Sequence, residues 1–118
     1  MSLVSLQPIR DHRPDLRDAA NRFDDWLDLH AQSGFIDTRK VVRDLSGDLT
    51  SSEIIETLNA IRNLEIAKVG YRIVDNSGTF VSPIFPSVDD VPPVAFDAYG
   101  DEFSVERKHI VQIYELCK

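Results

Sequence analysis

Thr50-Ser51-Ser52-Glu53-Ile54-Ile55 opens, and Tyr71-Arg72-Ile73-Val74-Asp75-Asn76-Ser77-Gly78-Thr79-Phe80-Val81-Ser82 closes, the stretch whose reading decides the fold. Thr50 and Glu53 have the spacing of a capping box, in which each side chain satisfies the other residue's backbone N–H at a helix start. Leu49 is placed to staple against Ile54, and Ile54, Ile55, Leu58 and Ile61 form the stripe that a helix buries. The end of this helix has two readings. Asn63 takes the left-handed position with Leu64 closing over the last turn, or the helix continues towards Gly70. Beyond it, Tyr71, Ile73 and Val74 face Thr79, Phe80 and Val81 across a polar tip, and Gly78 supplies the positive φ such a loop needs. The stretch therefore reads as a helix followed by a β-hairpin.

Two more helical patterns lie upstream. Pro14 suits a first helical position, and Leu16, Ala19, Ala20, Phe23, Trp26, Leu27 and Leu29 mark a helix to about His30, stopped at Ser33-Gly34. Asp37 is an N-cap for a shorter helix, with Ile36 stapling to Val41 and with Val41, Val42 and Leu45 as its buried face. Arg39, Lys40 and Arg43 make the outer side of that helix basic. Residues 1–13 form an arm laid on the body, an edge strand or a disordered tail. Downstream, Pro83, Pro86, Pro92 and Pro93 forbid a continuous helix or central strand, and Ser87–Asp90 reads as a short turn. Val94 to Tyr99 and Glu102 to Val105 read as a second hairpin about Gly100-Asp101, and 109–117 as a final strand after a turn at Glu106–His109, with a helix as the alternative.

In element order, three helices and then a hairpin, the chain resembles a winged helix. The expected fold is α+β: an arm at 1–13, a three-helix winged-helix-like unit with a hairpin wing at 14–83, and a small proline-interrupted β element at 84–118 on the same domain. In a winged helix that reads DNA, the third helix enters the major groove. Here that helix would present Ser52, Glu53, Glu56, Thr57, Asn59 and Arg62, with Arg72 at the base of the wing and Arg39, Lys40 and Arg43 as the only basic cluster.

Charge argues against that use. The 118 residues carry 13 Lys and Arg against 20 Asp and Glu, a net charge of −7. Residues 71–118 alone hold four bases and eight acids, a balance that repels phosphate and favours solubility or a basic protein partner. No apolar run reaches the roughly 20 residues of a membrane span, and Met1 to Leu6 lacks the basic and apolar regions of a signal peptide. The single Cys117 has no internal disulfide partner, which suits a reducing, cytoplasmic setting.

Chemistry-bearing patterns are absent. His12, His30 and His109 lie in no ligand spacing. Asp24, Asp25 and Asp28 read as a solvated helix face, and Asp75-Asn76-Ser77-Gly78 lacks the alternating ligands of a calcium loop. The five glycines read as stops and turns rather than a phosphate loop. The aromatic residues, Tyr99 among them, read mainly as core. One candidate surface remains: Ile84, Phe85, Val94 and Phe96, apolar and rimmed by Asp89 and Asp90. The expected function is accordingly a non-catalytic protein-interaction module, an accessory subunit or dimerising adaptor without metal or cofactor. The alternative is a DNA-binding regulator or antitoxin-like repressor, and an enzyme of unrecognised type stays open as a third.

Overall fold

A computed structural model describes residues 6–30 and 34–116. Met1 to Ser5, Ser33 and Cys117, to which the sequence reading assigned an arm, a helix stop and a small hydrophobe, lie outside the described residues. The fold is mixed α and β. The chain forms two units, one of Met1–Lys68 with Tyr114–Lys118 and the other of Val69–Ile113.

The first unit is helical. Its helices are α1 (Gln7–His12), α2 (Arg17–His30), α3 (Thr38–Leu45) and α4 (Ser51–Asn63), with strand β1 (Phe35–Asp37) between α2 and α3. Residues 6–13 thus hold a short helix, anchored because Leu6 and Ile9 are fully buried. A 3₁₀ turn at Pro14–Leu16 leads into α2, which packs against α1 and α4, while α3 packs on α4 and β1. The core comprises Leu16 from the 3₁₀ turn, Ala19, Ala20, Phe23, Trp26 and Leu27 from α2, Val41 and Leu45 from α3, and Ile54, Leu58, Ala60 and Ile61 from α4. Burying such a stripe is what holds helices of this length, since isolated ones are marginal in water.

The two predicted side-chain caps are built as their spacing requires, whereas Pro14 opens a 3₁₀ turn and α2 starts at Arg17. Asp37 accepts from Arg39 N at 3.0 Å. Thr50 Oγ1 accepts from Glu53 N at 3.1 Å, and Glu53 Oε1 accepts from Thr50 N at 3.0 Å. Each cap satisfies donors that a helix end otherwise leaves unpaired. The staple residues Ile36, Val41, Leu49 and Ile54 are all buried.

The helix faces and ends need correction. Val42 and Ile55, expected in the core, are 47% and 57% exposed, and Leu29 is exposed too. Val42 and Ile55 sit about 100° around their helices from the buried Val41 and Ile54, on a flank that no other described element covers. Thr57, expected outward, is fully buried, because its Oγ1 donates to Glu53 O at 2.7 Å and enters the core satisfied. The left-handed residue after α4 is Glu65, φ 57°, rather than Asn63, and the helix does not continue towards Gly70.

Strands β2 (Ala67–Ile73) and β5 (Ile110–Leu116) each cross from one unit to the other along the chain. The strand order is β1-β5-β2, and the residues from 110 onward form the strand that the sequence reading preferred over a helix. In the first unit, Leu116 N donates to Gly34 O at 2.9 Å.

The second unit is mostly loop. The hairpin after β2 exists, with Gly78 at φ 85° and Val81 N donating to Ile73 O at 2.9 Å. Its return arm, however, is not a regular strand. Val74 pairs with Phe80 and Tyr71 with Phe85, so two extra residues bulge from the return arm near Ser82-Pro83. Ser82 Oγ repairs the gap by accepting from Ile73 N at 2.8 Å. Gly70 corrects the reading of every glycine as a stop or turn, since it is buried inside β2. The proline segment carries the expected short turn, Val88–Asp90, capped by Ser87 Oγ. The second hairpin pairs β3 (Val94–Phe96) with β4 (Glu102–Ser104), antiparallel, with Ala95 opposite Phe103.

Candidate interaction surface

Apolar burial in the second unit is sparse. Ile73, Val74, Val111 and Ile113 are its buried hydrophobic residues among those described, and two polar side chains, Asp75 and His109, share the interior. Buried polar groups persist only when hydrogen-bonded, and both are. Asp75 Oδ1 accepts from Ser77 N at 2.9 Å, from Ser77 Oγ and from Thr79 N at 3.1 Å, while Oδ2 accepts from Ala98 N at 3.3 Å. The Ser77 hydroxyl first, and then the backbone donors of Thr79, Ala98 and Ser77, outweigh desolvation and hold the Asp75 carboxyl below its ordinary value. Asp75 thus ties the first hairpin to the loop of the second.

His109 does the same for the turn before β5. Its Nδ1 accepts from Glu106 N at 2.9 Å, which leaves Nε2 to carry the proton and donate to Asn76 Oδ1 at 2.8 Å. The Phe103 ring covers it, with centroids 4.8 Å apart. In the first unit His30 is similarly occupied. Nδ1 donates to Trp26 O at 2.9 Å, the ring stacks on Trp26 at 4.5 Å, and Nε2 faces Asp44 Oδ2 at 3.7 Å. Asp44 also accepts from Trp26 Nε1 at 2.9 Å and from Arg43 Nε at 3.0 Å; chiefly through the Trp26 bond, its carboxyl lies below the ordinary value. A general base needs a nitrogen open to substrate. Each nitrogen of these two rings already faces a protein group.

With so small a core, the second unit leaves large apolar side chains outside. Val88, Val94, Phe96 and Tyr99 are 48%, 39%, 61% and 91% exposed. Val94 and Phe96 project from the same face of β3, since alternate residues of a strand share a face. Of the predicted surface, therefore, Val94 and Phe96 are on it and Asp89 and Asp90 are exposed beside the Val88 turn. Ile84 and Phe85 are half-buried, Phe85 bridged to Tyr71 by backbone bonds of 2.7 and 2.8 Å. They are framework more than surface. Tyr99, one of the aromatics expected mainly in the core, is the most exposed large apolar residue among those described. Its position in the Asp97–Asp101 turn, where Asp97 Oδ1 accepts from Tyr99 N and Asp101 N at 2.9 Å, was the available signal.

The surroundings of the second hairpin are mostly acidic: Asp89, Asp90, Asp101 and Glu102 are exposed, while the bases of the same unit are Arg72, Arg107 and Lys108, of which Lys108 pairs with Glu106 at 3.4 Å. From Ile73 to Glu106 the sequence contains Asp75, Asp89, Asp90, Asp97, Asp101, Glu102 and Glu106, and not one Lys or Arg.

The residues named for nucleic-acid contact are not brought together as a free basic face. Arg39 is gripped by the buried Asp37 through Nε at 3.1 Å and an Nη at 2.7 Å, and Arg43 is held by Asp44. Burial opposes ionisation of Asp37, but Arg39's hydrogen bond and charge overcome it and keep that carboxyl below its ordinary value. Lys40 is exposed and, among the described residues, makes no ion pair with a carboxylate. Arg72 Nε donates to Ser82 O at 3.0 Å and its guanidinium lies 4.3 Å over the Phe80 ring. Thr57 is inside. Ser52, Asn59 and Arg62 are exposed on α4, where Asn59 lines an open groove of about 500 Å³ with His12, Arg13, Glu56, Ala60, Asn63 and Leu64. Arg13 is paired with Asp15 at 2.8 Å. Asp24, read as solvated, is paired with Arg10 at 2.7 Å.

Among the described residues, no group of three or more His, Cys, Asp or Glu is placed to hold a metal ion, and no helix is long and apolar enough to cross a membrane. No protein-family model, curated protein or solved structure matches the chain.

Proposed function

We propose that the protein is a non-catalytic protein-interaction module whose docking surface is the second hairpin and its surroundings. The observation that carries this reading is the exposure of Val94, Phe96 and Tyr99, with Val88, inside a segment that holds seven acids and no base. Apolar side chains standing out within a polar rim are the anatomy of an interface. A mostly acidic surround favours a basic partner and speeds the encounter. The rest of the chain serves as the scaffold. The order of α2, α3 and α4 followed by β2 and an irregular hairpin supports a winged-helix likeness for that scaffold, without a DNA-reading role.

DNA binding is the competing reading, and the ion pairs weigh against it. A recognition helix works among cations that neutralise phosphates, yet Arg10, Arg13, Arg39 and Arg43 are each engaged by a carboxylate of the chain itself. Two measurements test the proposal. Titration of labelled duplex DNA at low salt is expected to show no micromolar binding, whereas tight binding with a steep salt slope overturns the reading. A Phe96→Ser/Tyr99→Ser variant is expected to fold with unchanged stability, because surface substitutions lie within about 0.5 kcal/mol. It is also expected to lose a purified partner that the unaltered protein retains. Equal retention by both proteins refutes the surface.

A further inference from the structure

The pairing of β3 with β4 fixes which backbone groups of the second hairpin are used. Val105 N donates to Pro93 O at 2.8 Å, and Asp97 N donates to Asp101 O at 2.8 Å. In an antiparallel pair, hydrogen-bonded and non-hydrogen-bonded couples alternate. The bonded couples are therefore Pro93 with Val105, Ala95 with Phe103, and Asp97 with Asp101. Val94 and Phe96 turn their N–H and C=O groups the other way, to the outer edge of β3. The sheet has two strands, and no other described segment pairs with that edge. The same two residues carry the exposed apolar side chains, so the open edge and the apolar strip coincide.

We infer that this edge accepts an extended, basic segment of a partner protein as an added strand; the inference rests on the interaction-module reading above. Strand addition draws affinity from main-chain hydrogen bonds and specificity from alternate side chains. Proteins usually guard an open edge with lysine, proline or a bulge. Here Pro92 and Pro93 close only the start of β3, and from Ile73 to Glu106 the charges are all acidic. That guard repels a second copy of the same acidic edge and admits a basic strand. Residues of the added strand opposite Val94 and Phe96 lie on the same face as those side chains, about 5 Å away, where β-branched residues pack well. The partner segment therefore alternates Lys or Arg with Val, Ile or Thr.

The probe is a fluorescent eight-residue peptide alternating Lys and Val, titrated against the full chain at low salt by anisotropy. Saturable binding is expected, at least tenfold tighter than for a Glu and Val counterpart. N-methylation of the Val residues, which removes the donors facing the edge, is expected to weaken it at least tenfold. Proline is tolerated at the first residue of a strand. Val94→Pro should therefore leave the protein folded and bind at least tenfold more weakly than Val94→Ala. The Phe96 amide should exchange at least tenfold more slowly with the peptide bound. Equal binding of the N-methylated peptide reduces the contact to charge alone and overturns the inference. So does a concentration-dependent dimer that Val94→Pro dissolves, which seats a second copy on the edge. Absence of peptide binding, with a partner still lost from the Phe96→Ser/Tyr99→Ser variant, overturns strand addition while sparing the interaction surface; if that partner is also retained, both fall.

Discussion

Gly70→Ala should destabilise the protein, and the size of the loss follows from one contact. A Cβ added at Gly70 would lie 2.6 Å from Ile84 Cγ2, 3.4 Å from Phe85 O and 3.5 Å from Ile113 Cδ1. The first distance is far inside van der Waals contact. Cγ2 is attached directly to the Ile84 β-carbon, and β-branched side chains have little freedom about χ1, so it cannot swing aside cheaply. Forcing an extra methyl into such a site costs about 1–3 kcal/mol. Gly70 does not have a left-handed φ, so alanine suffers no backbone strain there. It gains about 0.4–1 kcal/mol from a less flexible unfolded chain. The net expectation is a loss of about 1–2 kcal/mol. With a urea slope of about 1.5 kcal/mol per molar for a chain of this size, the midpoint falls by about 1 M. Ile84→Ala removes the obstructing carbon, so the double variant should show a favourable coupling of at least about 0.5 kcal/mol. A rise in midpoint for Gly70→Ala alone, or strict additivity in the cycle, refutes the packing of Ile84 over β2.

Two further tests address the anchors. Thr50→Ala removes one half of the capping box at the start of α4 and should cost about 1 kcal/mol in urea or thermal unfolding; an unchanged midpoint means that the cap contributes nothing. Asp75 titrates below its ordinary value in the folded protein, so its contribution is complete above about pH 4 and is lost as the pH falls through the lowered value. Midpoints measured from pH 5 down to 2 should therefore decline less steeply for Asp75→Asn than for the unaltered chain, and parallel curves exclude the linkage.

What was legible in the sequence was what is local. A cap is a contact between residues two or three apart, so Asp37 and Thr50 announced their helices, and Ser87 announced its turn. The stop of α4 was misread because Glu65 carries no signal for a left-handed backbone, whereas Asn63 does. Periodicity marks a stripe but not its width. Ile55 and Val42 flank the buried rows, and whether a flank is covered depends on elements distant in the chain. Thr57 was misplaced for the opposite reason, since a hydroxyl that finds its own helix's carbonyl need not seek water. Gly70 reads as punctuation until Ile84, far along the chain, is laid over it. At the candidate surface, Val94, Phe96, Asp89 and Asp90 were visible as an apolar patch with an acidic rim. Tyr99 was not, because its exposure follows from a unit whose interior holds few apolar side chains and is knit by Asp75 and His109 instead.

The passage of β2 and β5 between the units has a consequence for how the molecule is made. Residues Tyr114–Leu116 belong with the helical unit, yet the ribosome delivers them only after all of Val69–Ile113. Domains ordinarily fold in the order in which they emerge. Here the helices can collapse early, but their strand partner for β1 is made only after residues 69–109. The nascent chain must keep Phe35 to Asp37 unpaired throughout synthesis of the acidic segment. Closure of the β1–β5 pairing is therefore a late event that waits for residues 110–116.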